Sequence, residues 1–439
     1  MDKEIQGTAS DQVTALPGLR ELEGVQFSGY ASVNGVNCQP GTDESLFYWF
    51  AGSDEYASRP TILWTNGGPG SSSFWGFFLE NGPYEVGNGA SYETLDPGTV
   101  TARPMGWNTQ ANYLIFEHPL TVTLSFPNNE ANVPTDVKSG IEQFYQALQS
   151  FMDKHPELRD SPLLLAGESY GGTYVPLLAN AISQGMKAGD KAINLVGQIL
   201  ISGWVNPLVQ QSMDSTYAFN HGLIDEAGKA EVDQLYEACA IEINKTAPGE
   251  PTSKAAADAC GKVLSKIKEL SGRSYMLNIL QEGDPGTSNV QTYLNRDDVR
   301  KAIHVPPVNA DKTNEVTAFS SNTIYSTYQV GMENSYAPLV ENLVNQGLKT
   351  MVISGLSDGT DVNFMGVGAW IKEMKGAGFT AFQSATKEPW TSSLQQQPLG
   401  WITDGDSFSW VKVVGGGHLS VRDQPQLIDL IMERFADLF

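Results

Sequence analysis

Basic residues are scarce in this chain: 27 lysines and arginines stand against 50 aspartates and glutamates, a formal net charge of −23 over 439 residues. A surface field of that sign repels phosphate backbones and anionic lipid, so nucleic acid is not an expected partner. Long hydrophobic runs are missing as well. No segment approaches the roughly 20 continuous apolar residues that span a bilayer, and no membrane partner is expected. The opening MDKEIQGTAS has no apolar signal core, which leaves a cytoplasmic chain or the mature form of an exported one. Cysteine is limited to Cys38, Cys239 and Cys260, too few for a dense disulfide framework. Cys239 and Cys260 flank a polar, helical region and could clip a surface excursion, leaving Cys38 free. A sequon at Asn244-Lys245-Thr246 is compatible with export. Histidine is rare and scattered, five in all with no H-E-x-x-H, so neither a metal site nor a cofactor is expected.

What is present alternates between strand and helix signals. SLFYWFAG (45–52), PTILWTNGG (60–68) and ANYLIFEHP (111–119) are short apolar blocks that read as strands. DVKSGIEQFYQALQSFMDKHPEL (136–158) carries apolar residues at helical spacing, with Asp136 placed as N-cap and Pro156 near its end. A dry strand, SPLLLAG (161–167), follows. Helix between buried strands implies an α/β sheet covered on both faces. After Gly203 the pattern changes, and 206–330 becomes helical, acidic and punctuated by glycine and proline. It includes IDEAGKAEVDQLYEACAIEI and a polar loop, TAPGEPTSKAAADAC. This block reads as a largely helical cap inserted between two parts of a core, 1–205 and 331–439. Strand signals return at LKTMVISG (348–355) and SFSWVKVVGG (407–416), and QLIDLIMERFADLF closes the chain as an apolar helix. No internal repeat is visible, and low complexity is confined to short glycine and glutamine clusters.

The chemistry centres on Leu165-Ala166-Gly167-Glu168-Ser169-Tyr170-Gly171-Gly172. A buried strand ends in G-x-S-x-G and gives way to a helical run, TYVPLLANAISQG. This is the form of a nucleophile elbow: Ser169 occupies a strained turn that lifts Oγ above the sheet, and small residues on both sides avoid collision. The alternative, a serine that merely caps a helix, leaves the flanking glycines unexplained. In such a site an acid and then a histidine follow the serine along the chain. His418 follows a strand and three glycines, Gly415 to Gly417, and suits a general base, whereas His304 sits at a helix end where interaction with the helix dipole accounts for it. Beyond TMVISG, Asp358 and Asp361 compete for the orienting acid. Asp358 precedes a glycine, so a turn role competes with the catalytic one.

A second glycine loop, Trp64-Thr65-Asn66-Gly67-Gly68-Pro69-Gly70-Ser71-Ser72-Ser73, also follows a strand. Backbone N–H groups of Gly68 and Tyr170 would together form an oxyanion hole. No lysine follows the loop, so it is not a phosphate loop. Glu168 adjoins the nucleophile and Glu80 lies beyond the loop. Were they to meet, they would share a proton and could accept a substrate carboxylate in acid.

These segments, together with LPGLRELEGVQFSGY, FFLENGPY, GWNTQANYLIFEHP, YLNRDDVRKAIHV, NFMGVGAW and GGGHLSVRDQP, resemble successive landmarks of the serine carboxypeptidases from about residue 13 to 439. The resemblance implies an α/β-hydrolase fold with a central, mostly parallel sheet and an inserted cap. It implies removal of C-terminal residues from peptides through an acyl-enzyme, best in acid, in a secreted or vacuolar setting. By position it makes Ser169 nucleophile, His418 base and Gly68 with Tyr170 oxyanion donors, and it gives Asn66, Glu80 and Glu168 to the substrate's terminal carboxylate. The family's Gly-Asp-x-Asp reads Gly355-Leu356-Ser357-Asp358 here, which favours Asp358, while one extra residue before Asn363 keeps Asp361 in contention. Ser71 replaces a usual cysteine, and Leu120, Thr121, Thr123, Leu124, Phe126, Leu419, Ser420 and Val421 depart from the family's pattern around the pocket. The expected partner is thus a peptide or a small acyl substrate. An esterase, amidase or acyltransferase on a small molecule is the second reading, and an inactive binding homologue the third. Oligomeric state is not readable.

Overall fold

The computed structural model describes residues 10–86, 99–247, 249–283, 286–391 and 397–439. Nearly all of the amino-terminal segment and most of the glutamine cluster noted above lie outside the described residues. Strands are β1 (Gln12–Val13), β2 (Val25–Ser32), β3 (Ser45–Gly52), β4 (Thr61–Thr65), β5 (Tyr84–Val86), β6 (Val100–Ala102) and β7 (Asn112–Phe116). They continue with β8 (Leu163–Glu168), β9 (Leu195–Ile201), β10 (Lys349–Gly355), β11 (Lys387–Trp390), β12 (Gly400–Asp404) and β13 (Phe408–Val413). Eleven strands among the described residues make one sheet in the order β1-β2-β3-β7-β4-β8-β9-β10-β13-β12-β11, and β5 pairs with β6. From β7 to β13 neighbouring strands run parallel, and the strands at either flank run antiparallel.

Alternation places the two cores. Leu63, Leu165, Leu200 and Val352 face one side, with helices α1 (Val137–Lys154) and α2 (Gly171–Ala188) packed on them. Their neighbours Trp64, Ala166, Ile199, Ile201, Met351 and Ile353 face the other side, under the carboxy-terminal helix Leu427–Phe435. Burial on both faces is why these strands read as continuous apolar runs. Helix α1 starts where Asp136 Oδ1 accepts the Ser139 N–H at 2.8 Å, a reciprocal capping box. It ends at Lys154 rather than near 158: Pro156 has no N–H and disfavours helical backbone at His155, so a 3₁₀ turn, Pro156–Leu158, follows.

Helices α3 (Pro207–Gln211), α4 (Asp214–Asn220), α5 (Glu226–Asn244) and α6 (Lys254–Ser271) come next. Val232, Cys239 and Ile243 of α5 meet Cys260, Val263 and Ile267 of α6 in a core of their own, and a Cys239–Cys260 disulfide joins them. The expected polar loop TAPGEPTSKAAADAC is half helix. Ser253 caps α6 by accepting the Ala256 N–H, and the alanines that follow are strong helix formers. Farther on, Val290, Tyr293, Leu294, Val299, Ile303 and Phe319 pack against the sheet's second face instead of the cap helices. Among the described residues no helix is long and apolar enough to cross a membrane.

Candidate active site

Ser169 follows β8 directly and carries φ of 60°, left-handed backbone that a serine adopts only when its surroundings compel it. The turn is held from both sides, since its N–H donates to Ile201 O and its carbonyl accepts from Gly172 and Trp204. Close approach explains the glycines. A Cβ on Gly67 would stand 2.3 Å from Tyr170 N, and one on Gly172 would stand 2.6 Å from Gly203 Cα. Gly67 therefore lets the loop after β4 lie against the elbow. Among the described residues, neither the Gly68 nor the Tyr170 N–H donates to a protein acceptor, which leaves both available to an oxygen above Ser169.

His418 follows β13 through the glycine run. Its Nδ1 lies 3.0 Å from Asp358 Oδ2, while Thr360 N and Oγ1 donate to Asp358 Oδ1 at 2.9 and 2.6 Å. Asp358 is fully buried at the end of β10. The pairing falls to Asp358, and Asp361 lines a cavity on the other side of Ser169. Burial pulls the imidazole's pKa down, but the charge and hydrogen bond of Asp358, with Asp361 and Glu80, outweigh it and leave His418 raised. A segment unremarked in the sequence clasps the two loops: Leu277 O accepts the His418 N–H at 2.5 Å, Met276 O that of Gly359, and Ser357 O that of Ile279. Asn278 Nδ2 also donates to Asp423, which accepts the Gly417 N–H.

The structure brings Asn66, Glu80 and Glu168 together. Trp64 Nε1 and Gly76 N–H donate to Asn66 Oδ1, which fixes the amide so that Nδ2 donates to Glu80 Oε1 at 2.9 Å and Glu168 Oε1 at 3.3 Å. Both carboxyls are almost fully buried, at 2% and 3% exposure, so Glu80 is no solvated loop residue. Burial raises both pKa values, and for Glu168 the Glu80 carboxyl adds to the rise, while Asn66 opposes it. One oxygen of each has no protein donor, and a proton between them satisfies both. A cavity of about 220 Å³ opens over Asn66, Glu80, Glu168, Ser169 and His418, and a second of about 150 Å³ starts from Gly68, Ser169 and Tyr170 and runs under the cap. Glu333 on the wall of the second has no signal in sequence, since GMENSY resembles any surface turn.

The family model described as "Serine carboxypeptidase" matches residues 17–437. The chain is 29% identical over 426 residues to a venom serine carboxypeptidase of Apis mellifera, covering 94% of this chain and 85% of that one. It is 26% identical over 389 residues to serine carboxypeptidase-like 48 of Arabidopsis thaliana, covering 87% and 73%. The crystal structure of a prohormone-processing carboxypeptidase from Saccharomyces cerevisiae superposes with a TM-score of 0.81 at 20% identity, over 97% of this chain and 96% of that one. The fold is thus an α/β-hydrolase with a helical cap, and the chain belongs to the serine carboxypeptidase family.

Proposed function

We propose that this serine carboxypeptidase-type hydrolase releases single residues from peptide C-termini through an acyl-enzyme on Ser169, favoured in acid. The reading is carried by one juxtaposition: a proton-sharing carboxyl pair on Asn66 opens into the same cavity as Ser169 and His418. A substrate carboxylate entering there meets hydrogen-bond donors while the pair keeps its proton and repulsion once it is ionised. His418 Nε2 takes the Ser169 Oγ proton and Oγ attacks the last peptide carbonyl, whose oxyanion accepts from Gly68 and Tyr170 N–H. The protonated imidazole then gives its proton to the leaving amine, and water, activated by the same base, hydrolyses the ester. Asp358 holds the imidazole tautomer, with Asp361 left outside that role.

The inserted region 206–330, between core segments 1–205 and 331–439, shapes the acyl side of the site through Ala257, Cys260 and Tyr325. A disulfide and buried carboxyls suited to acid support work in a secreted or vacuolar compartment. The test is hydrolysis of an N-blocked dipeptide against its C-terminal amide from about pH 4 to 8, with Ser169→Ala as blank. Preference for the free acid, greatest in acid and absent in the blank, is expected. Equal turnover of the amide would remove the carboxylate-binding role.

A further inference from the structure

Ser169 and Gly68 line both cavities, but His418 lines only the one that holds Asn66, Glu80 and Glu168. Since the leaving amine must receive its proton from His418, the departing residue occupies that side. The second cavity, on the side of Tyr170 and away from the imidazole, therefore takes the penultimate side chain. This assignment rests on the carboxypeptidase reading above.

The walls of that second cavity are unusual for a pocket opening beside a nucleophile. Trp204, Tyr325 and Met332 give it apolar surface, and Glu333 and Asp361 give it two carboxyls. Glu333 is 5% exposed; Gln211 Nε2 donates to its Oε2 at 2.9 Å, and its Oε1 receives no donor among the described residues. Asp361 receives no hydrogen bond from another side chain among the described residues, and the triad does not use it, because His418 Nδ1 is bonded to Asp358. Each carboxyl thus keeps unused acceptor capacity on a cavity of about 150 Å³ that is open to solvent on one side. Glu333 is buried with no cation among the groups that act on it, while Asp361 is half-buried within the field of His418 and Lys268; a ligand that brings a cation to Glu333 recovers the cost of burying it. We propose that Glu333 and Asp361 make this cavity a subsite for a cationic penultimate residue, lysine before all, whose methylene stem packs on Met332 and whose ammonium reaches the two carboxyls past Trp204 and Tyr325.

The electrostatics of the walls give the preference a direction in pH. Burial pushes Glu333 up to about 8, with Asp361 adding to the rise and Gln211 opposing it. Burial likewise takes Asp361 up to about 6; Asp358 raises it, while His418 and Lys268 lower it. Asp214, buried behind Asn363, and Tyr325 also feel the Asp361 charge. Below these values the walls are neutral and a cation gains little. As pH rises they ionise, and a bound ammonium draws their protons off earlier still. Selection for lysine therefore strengthens toward neutrality, whereas capture of the terminal carboxylate by Glu80 and Glu168 strengthens toward acid.

The experiment compares N-blocked Lys-Phe with N-blocked norleucine-Phe, side chains of one shape that differ by the ammonium. Titration of His418, Glu80 and Glu168 is common to both substrates and cancels in the ratio of kcat/KM. We expect lysine to be preferred by about tenfold near pH 7, with the ratio falling toward unity near pH 4.5 and dropping about tenfold at pH 7 in Glu333→Gln. A ratio at or below one at pH 7, or one that Glu333→Gln leaves alone, overturns the proposal. If that variant does not fold, the wild-type ratio against pH decides. Preference for lysine in the terminal rather than the penultimate position, read from norleucine-Lys, would also overturn it. Cleavage of both peptides without discrimination removes only the subsite; cleavage of neither, with an ester still turned over, removes the carboxypeptidase reading and the subsite with it.

Discussion

At the carboxyl end of α1, His155 stands between Asp11 and Glu157, with Nε2 2.9 Å from Asp11 Oδ2 and Nδ1 3.5 Å from Glu157 Oε1. Above the sheet, Glu80 and Glu168 face each other with Asn66 bridging them. Both places bury carboxyls, and burial alone would raise every one of their pKa values. At the first, the hydrogen bond and charge of His155 outweigh burial, so Asp11 and Glu157 are lowered and His155 is raised. At the second, burial outweighs the charges of His418 and Arg422 on Glu80, neither of which is hydrogen-bonded to the pair, and the rise stands. A buried acid with a cation hydrogen-bonded to it ties segments together; one without that bond has its proton held more tightly.

The largest effect expected from this contrast separates the two buried histidines. His418→Ala should lower kcat by a factor on the order of 10⁶, because base and acid are lost together. His155→Gln should leave kcat within about twofold while destabilising the fold by about 3 to 5 kcal/mol near pH 6, since two carboxyls are left without their cation. The sign with pH follows from the shifts. The raised His155 stabilises below its unfolded pKa, and that contribution is lost as pH rises through its folded value. The lowered Asp11 and Glu157 stabilise above their unfolded values and lose this as pH falls through the folded ones. The cost of His155→Gln, read from urea unfolding, should therefore be greatest in mild acid. Activity lost with stability intact would undo the contrast.

A smaller effect sharpens the other half. Glu80→Gln keeps the donor and discards the titration, so at pH 8 its kcat/KM for a free-acid dipeptide, relative to its own value at pH 5, should exceed the wild-type ratio by about tenfold. Identical profiles would show that the pair's proton plays no part in binding.

Much of this contrast was invisible in the sequence for a physical reason. The strand–G-x-S-x-G–helix run exposed Ser169 because strain demands local small residues, and the glycine run before His418 did so too. Asp136 marked the start of α1 through its own side chain. Those are local signals. The motif favoured Asp358 without removing Asp361, and the pairing with His418, the clasp by Leu277 and Met276, and the placing of Glu333 in a cavity depend on chain segments far apart in sequence. His155 was passed over because its partner Asp11, which also accepts from Tyr48 of β3, lies just before β1, far from it in sequence. The start of α6 at Lys254 was missed although Ser253 and three alanines announced it, since nearby glycine and proline dominated the reading.

A third buried carboxyl lies between the two cases and carries the smallest effect. Glu117 follows β7 beneath the glycine loop, where Ser72 Oγ donates to it at 2.6 Å and Thr123 Oγ1 also donates. Burial pushes its pKa up to about 7, with the hydroxyls and the N–H groups of Ser73 and Phe74 opposing the rise. Neutral donors thus recover only part of what a cation recovers at Asp11. The folded state keeps this proton between about pH 4.5, where the unfolded chain releases it, and about 7. Stability contributed here is therefore present in acid, falls as pH rises across that window and is level above it. Glu117→Gln removes the slope. Measured by urea unfolding, the variant should gain on the wild type by about 2 kcal/mol between pH 5 and pH 8. Because Ser72 belongs to the loop that carries Gly68, the wild type's loosening as pH rises toward 7 should reach that loop first. Hydrogen exchange across 66–74 should quicken with pH beyond its intrinsic rate in the wild type and not in the variant, and equal protection in both would leave Glu117 a packing residue only.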